Sequence, residues 1–215
     1  MTQPAFPRRG VLAPLALVLL LGIGPLVAAE VTVSVRKPLL LQVGERSLEV
    51  RVGPEHISGG GLELRRTGKG LSGTLRGHPV ELEWNEDGAI TGRVADASVK
   101  LVALPRPSQP GLYMEGWFGG DTAELTLTPM GISGAVGGCG YSMPMAGNRY
   151  SGWRTCDATR GPPVPVMLRI PEDLVPLGIA EEGALLALLL SDEALPPVSP
   201  PEETPGQGGP GAPSP

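Results

Sequence analysis

Two cysteines and two histidines are the residues of this 215-residue chain whose types could support chemistry. Cys139 and Cys156 lie in the stretch GGCGYSMPMAGNRYSGWRTC, but a cysteine nucleophile needs a histidine partner. His56 and His78 both fall near predicted turns, and the C-x-x-C or H-x-x-x-H spacing of a zinc site is absent. We therefore expect no catalytic residue, no metal and no cofactor, and we interpret Cys139 and Cys156 as a disulfide.

The start of the chain supports that interpretation, because it has the order of an export signal. Arg8 and Arg9 precede an apolar run, residues 11–27, which ends in small residues. Residues 1–29 are predicted to be a signal peptide that is cleaved after Ala29, by either the general or the twin-arginine route, and an uncleaved anchor is the alternative. After cleavage we expect a periplasmic or secreted protein with no transmembrane span. In such an oxidising compartment two cysteines usually pair.

The remainder of the chain divides into one domain and a tail. Residues 196–215 read PPVSPPEETPGQGGPGAPSP, a proline- and glycine-rich segment with too little apolar surface to fold, so a disordered tail is predicted. Residues 30–195 then form a single β-rich domain. The 32 glycines, 25 prolines and 4% aromatic residues of the chain fit many short strands joined by tight turns.

A glycine motif repeats through this domain. An apolar residue, a variable residue and a glycine recur at intervals of 14 to 24 residues, with the glycines at positions 59, 73, 92, 116, 134 and 152. Alternating segments such as VELEW and AELTLT lie between them, which predicts an antiparallel meander of hairpins. The glycines share the face of the apolar residues, so they would leave space on the concave side. An all-β fold curled into a barrel or half-barrel is predicted, with a β-sandwich as the alternative.

One short C-terminal helix is expected in addition to the strands. Residues 171–173, Pro-Glu-Asp, resemble a first helical turn, and the segment AEEGALLALLLSDEAL from Ala180 has acidic residues followed by leucines. The apolar run is too short to cross a membrane. We expect the helix to plug or cover one end of the sheet.

Trp117 and Trp153 are the candidate binding residues, because both occupy the variable position of the motif and should face outward. Exposed aromatic rings on a sheet bind sugars, peptides or lipids, and Ala135 would lie between the two rings. The alternative is that a second layer covers them. The net charge of −5 without a basic cluster gives no indication of nucleic-acid binding.

Three functional hypotheses follow from these patterns. The first is a non-catalytic binding or scaffold module of a bacterial envelope, with an unknown envelope partner. The second is a carrier that holds a lipid or other apolar ligand inside the curled sheet. The third is an enzyme of unrecognised type, which would need a pocket with several converging polar groups.

Overall fold

A computed structural model describes residues 37–157 and 161–196. The predicted signal peptide, the strand expected at residues 31–36 and the tail beyond residue 196 lie outside the described residues. The described chain forms fourteen strands followed by one helix. They are β1 (Leu39–Val43), β2 (Arg46–Val52), β3 (His56–Gly59), β4 (Leu62–Thr67), β5 (Gly70–Leu75), β6 (His78–Trp84), β7 (Ala89–Val94), β8 (Ala97–Pro105), β9 (Leu112–Phe118), β10 (Asp121–Thr128), β11 (Gly131–Val136), β12 (Cys139–Ala146), β13 (Arg149–Cys156), β14 (Val164–Arg169) and α1 (Ile179–Leu190).

The strands form a single antiparallel sheet that closes on itself. Each strand pairs with its neighbours in sequence, and β1 pairs with β14, where Leu41 lies opposite Leu168. The predicted all-β meander and the barrel are therefore confirmed. The half-barrel and the sandwich are wrong, because closure leaves this sheet without a free edge.

Strict alternation of side chains separates the barrel interior from its outer face. In β10, for example, Ala123, Leu125 and Leu127 are buried, whereas Thr122 and Glu124 are exposed. The same pattern in most strands lines the interior mainly with leucine, isoleucine and valine. The sheet therefore has one apolar face, and that face is turned inward.

The repeated glycines are required for a different reason from the one predicted. A Cβ at Gly92 would not fill the core, because it would collide with the backbone carbonyl oxygen of Glu81 on the preceding strand β6. The φ of Gly92 is 145°, a value that L-residues rarely adopt. The other glycines of the motif make the same close approach to the strand before them, at positions 59, 73, 116, 134 and 152.

Helix α1 runs through the inside of the barrel. Ten of its twelve residues are buried, and they lie on all sides of the helix, which requires apolar partners in every direction. The contacts are with the barrel wall: Gly183 faces Ala103 of β8, and a Cβ at Gly183 would lie 2.7 Å from the Cβ of Ala103. The expected plug is thus a central helix and does not merely cover one end.

The helix begins later than the sequence pattern indicates. Residues 171–173 form a turn, in which the N–H of Leu174 donates to the carbonyl oxygen of Pro171. Pro176 and Gly178 follow, so that α1 starts at Ile179. Among the described residues, no helix is long and apolar enough to cross a membrane.

Polar side chains of the wall hold both ends of the helix. At its start, which we call the lower end of the barrel, Arg66 of β4 binds Glu181 through two hydrogen bonds, Nε to Oε1 at 2.5 Å and Nη2 to Oε2 at 2.9 Å. Both side chains are about nine-tenths buried. Removing one partner would leave a buried charge without compensation, so this pair fixes where the helix begins.

At the opposite, upper end, Tyr141 and Arg154 hold the last turn of α1. The hydroxyl of Tyr141 donates to the carbonyl oxygen of Leu190, and Arg154 donates from Nε to that hydroxyl at 2.9 Å. Arg154 also forms an ion pair with Asp192 at 2.5 Å. Burial raises the pKa of Tyr141 to about 12, so the phenol stays protonated and keeps its donor at physiological pH.

Replacing Gly92 should destabilise the barrel, because a side chain at this position would collide with the backbone carbonyl oxygen of Glu81. Gly92→Val combines a left-handed φ with a backbone collision, and we expect a loss of about 2 kcal/mol or more in the free energy of unfolding. Gly68→Ala is the control, because a Cβ at Gly68 would meet no atom within 4 Å; it should change stability by less than about 0.5 kcal/mol. Urea unfolding measures both, and equal stability of the two variants would contradict the close approach.

The pH dependence of stability should report on Glu182, which lies half-buried in the first turns of α1. Burial raises its pKa above the ordinary value of 4.5, so the folded state favours the protonated form. Its unfavourable effect is therefore absent below pH 4.5 and grows as the pH rises through the folded-state pKa. Glu182→Gln should raise the melting temperature at pH 7.5 but change it little at pH 4. Glu86→Gln, at an exposed turn position, should not reproduce this pattern.

Candidate functional site

The two cysteines lie directly opposite each other at the upper end of the barrel. Cys139 is the first residue of β12 and Cys156 is the last residue of β13, with Cα atoms 4.0 Å apart and a disulfide between the side chains. The predicted disulfide is confirmed. The sequence pattern alone predicts Cys139 at the end of the outgoing strand that contains Gly134, whereas the structure places it at the start of the return strand β12.

The disulfide lies beside the residues that hold the end of the helix. Tyr141 is two positions beyond Cys139 on β12, and Arg154 is two positions before Cys156 on β13; these two residues are also register partners. The bond closes the ends of both strands that carry the upper contacts of α1. A structural role for the cysteines follows from this position.

The two histidines are not brought together by the fold. His56 begins β3 near the lower end, close to Gly53 and Arg66, whereas His78 begins β6 at the upper end after the turn that contains Arg76. Both are exposed. Cys139 is disulfide-bonded and the described residues contain no free cysteine, so the arrangement of a thiolate with a histidine base does not form.

Trp117 projects from the outer face of β9. Its side chain is 57% exposed, and its register partners are Lys100 on β8 and Thr122 on β10. Phe118, its neighbour in sequence, points inward and is buried. Most of the indole surface of Trp117 is therefore available to a partner.

A groove of about 760 Å³ lies on the outer face beside Trp117. It extends from Ala89 on β7 to Ala135 on β11 and includes the motif glycine Gly116. Neighbouring strands are separated by about 4.8 Å, so four intervals give the groove a width of about 19 Å. Small or apolar outward residues, among them Val102, form its floor, while Trp117 rises from it.

Two carboxylates lie at the centre of the same face. Glu115 of β9 and Glu124 of β10 are register partners, and both are exposed. Directly opposed like charges destabilise a sheet. The hydroxyl of Tyr113 donates to Glu115 at 2.9 Å, and this hydrogen bond, with smaller effects of burial and of Glu124, raises the pKa of Tyr113 to about 12.

Trp153 occupies a different part of the surface. It is also 57% exposed, but its register partners on β12 and β14 are Ser142 and Pro165. The register places Trp153 in one row with Ser133 and Tyr113, four residues along β9 from Trp117. The two rings are therefore about 20 Å or more apart, and the fold does not bring them onto one small ligand.

No family model, curated protein or solved structure matches this chain. Its function is therefore inferred from its own surface. Of the candidate residues, Trp117 and Trp153 are both found on the outer face, and Ala135 lines the groove of Trp117 alone. The pairing of Glu115 with Glu124 was not predicted, because it depends on a strand register that a single sequence does not determine.

A second cavity, of about 740 Å³, opens at the lower end beneath the start of α1. Trp84, Asn85 and Leu104 contribute to its walls, together with Arg66 and Glu181. Arg66 and Glu181 already bind each other within hydrogen-bond distance, and the other two charged residues of the lining, Glu86 and Asp87, lie in the turn between β6 and β7. We therefore attribute a structural role to this end.

Loss of the disulfide should weaken the upper end of the barrel. The bond joins residues 17 apart in sequence, and replacing both cysteines by serine should lower the free energy of unfolding by about 3 kcal/mol in the chain-entropy description. Urea unfolding of Cys139→Ser/Cys156→Ser measures the loss. Wild-type protein treated with reductant should approach the same midpoint, and no change in either sample would contradict the structural role.

Proposed function

We propose that the protein is an exported, non-catalytic binding module of the bacterial envelope that contacts its partner through the outer face of the barrel. The observation that carries this proposal is the exposure of two large indoles on an otherwise regular sheet, 57% for each of Trp117 and Trp153. A folded domain usually buries such rings, because each removes a large apolar area from water. Their exposure at defined positions favours a binding role.

The helix inside the barrel supports this proposal over the alternative of a carrier for an apolar ligand. A carrier needs internal space for an apolar ligand, but α1 lies where such a ligand would be. Leu185, Leu188 and Leu189 are buried at 2% exposure or less, and Gly183 touches the wall. A lipid would have to displace a helix that is held at both ends by buried polar contacts.

The surroundings of the two indoles also favour binding over simple solubility. Trp117 stands in a groove rather than on a convex surface, and the groove combines an apolar floor with charged groups at Lys100, Glu115 and Glu124. Binding sites commonly combine apolar area with a few polar groups that orient the ligand. The groove therefore supplies both affinity and orientation.

Removing the indoles should abolish binding without unfolding the protein. Trp117→Ala/Trp153→Ala should keep its melting temperature within a few degrees of the wild type, because exposed side chains contribute little to stability. Immobilised wild-type protein should retain a defined partner from envelope extracts, and the double variant should lose it.

The single variants Trp117→Ala and Trp153→Ala show which indole is needed to retain the partner. Met130→Ala is the control, because Met130 is a 79% exposed turn residue away from both indoles. Loss of several kcal/mol of stability in the double variant would mean that the indoles are covered. Retention of the same partner by both the wild type and the double variant would contradict the proposed function.

A further inference from the structure

The chemistry of the Trp117 groove is decided by its charges. Glu115 and Glu124 face each other across β9 and β10 on the exposed surface, and neither takes part in the salt bridges of the described residues, which involve Arg66, Arg93 and Arg154. Among the residues that the structure describes, Lys100 is the single basic residue that lines the groove. Two carboxylates and one ammonium leave a net negative charge beside the indole.

A cation is the ligand group that this combination favours. A lysine or arginine side chain over the face of an indole is attracted by the ring quadrupole, and tryptophan is the best aromatic partner for such a contact. A positive charge beside Glu115 and Glu124 would also relieve the repulsion between the two opposed carboxylates. The indole and the carboxylates therefore select the same kind of group.

The shape of the groove indicates that the cation belongs to an extended chain. The groove crosses the outer face from Ala89 on β7 to Ala135 on β11, a distance of about 19 Å. An extended peptide of about six residues covers that distance. A free amine or a single amino acid would leave most of the apolar floor exposed to water.

The C-terminal tail of this chain does not fit the Trp117 groove, because its charge has the same sign as that of the groove. Residues 197–215 contain Glu202 and Glu203 and no lysine or arginine. Such a segment would bring negative charge towards Glu115 and Glu124. The occupant therefore has to come from a partner with the opposite charge.

We propose that the Trp117 groove binds an extended basic segment of a partner protein, with a lysine or arginine side chain on the indole and beside Glu115 and Glu124. The proposal rests on the proposed binding function and specifies the chemistry of one of its two indoles. The surface around Trp153, whose register partners are Ser142 and Pro165, lacks this charge pattern and is the internal comparison.

The test uses the indole N–H resonances of ¹⁵N-labelled protein, assigned with Trp117→Phe and Trp153→Phe. The probe is a capped tetralysine peptide, titrated at about 0.15 M salt, where charges more than about 8 Å apart in solvent are largely screened. We expect a saturable shift of the Trp117 resonance and none of the Trp153 resonance. The same peptide with all four lysines Nε-acetylated should bind more than tenfold more weakly.

A matched pair of variants separates local from overall charge. Glu115→Gln/Glu124→Gln should weaken tetralysine binding about tenfold. Glu49→Gln/Glu63→Gln removes the same two charges from β2 and β4, on the far side of the barrel, and should change binding less than twofold. Equal effects of the two pairs, or equal binding of the acetylated peptide, would overturn the proposal.

A neutral sugar probe, tri-N-acetylchitotriose, completes the test. A shift of the Trp117 resonance by the sugar but not by tetralysine would overturn the basic-segment proposal while leaving the binding function intact. If neither probe shifts the Trp117 resonance, the basic-segment proposal also fails, and the binding function is then judged by the envelope partner alone. If that partner is retained without either indole, the binding function fails as well.

Discussion

The width of a fourteen-stranded barrel is the constraint on which the structure depends. About eight strands enclose an interior that wall side chains can fill, and wider barrels leave a lumen. An apolar inner wall cannot face an empty or wet lumen, so a filler is required, and α1 supplies it with twelve residues, about 18 Å of helix. Gly183 shows how tightly the two fit, since a helix-weakening residue is used where the wall leaves no space for a methyl group.

The glycine repeat is the second requirement of the same architecture. At each motif glycine the backbone approaches the carbonyl oxygen of the preceding strand too closely for any side chain. Three grooves of the outer face are lined in part by a motif glycine, namely Gly92, Gly116 and Gly152. The glycines that bring neighbouring strands close together therefore also line grooves of the outer face.

Local patterns predict the hairpins, the disulfide and the outward tryptophans, because each depends on residues near in sequence. Closure of the barrel does not depend on residues near in sequence, because it pairs β1 with β14, which are separated by more than a hundred residues. The third inward position of β4 is Arg66 instead of an apolar residue, and its contacts with Glu181 and with the carbonyl oxygen of Gly53 become visible only in the folded structure. The leucine-rich helix indicates burial, but its place inside the barrel follows only once the sheet is closed.

A filled barrel leaves its outer face and its two ends for contact with other molecules. The upper end carries Tyr141 and Arg154, which are occupied with the end of α1, and the charged pair at the lower end holds its start. The outer face is polar along most strands, so an exposed indole there adds apolar area to a polar surface. Because Trp117 also lies in an indentation beside two opposed carboxylates, exposed apolar area and negative charge occur together at one point of the wall.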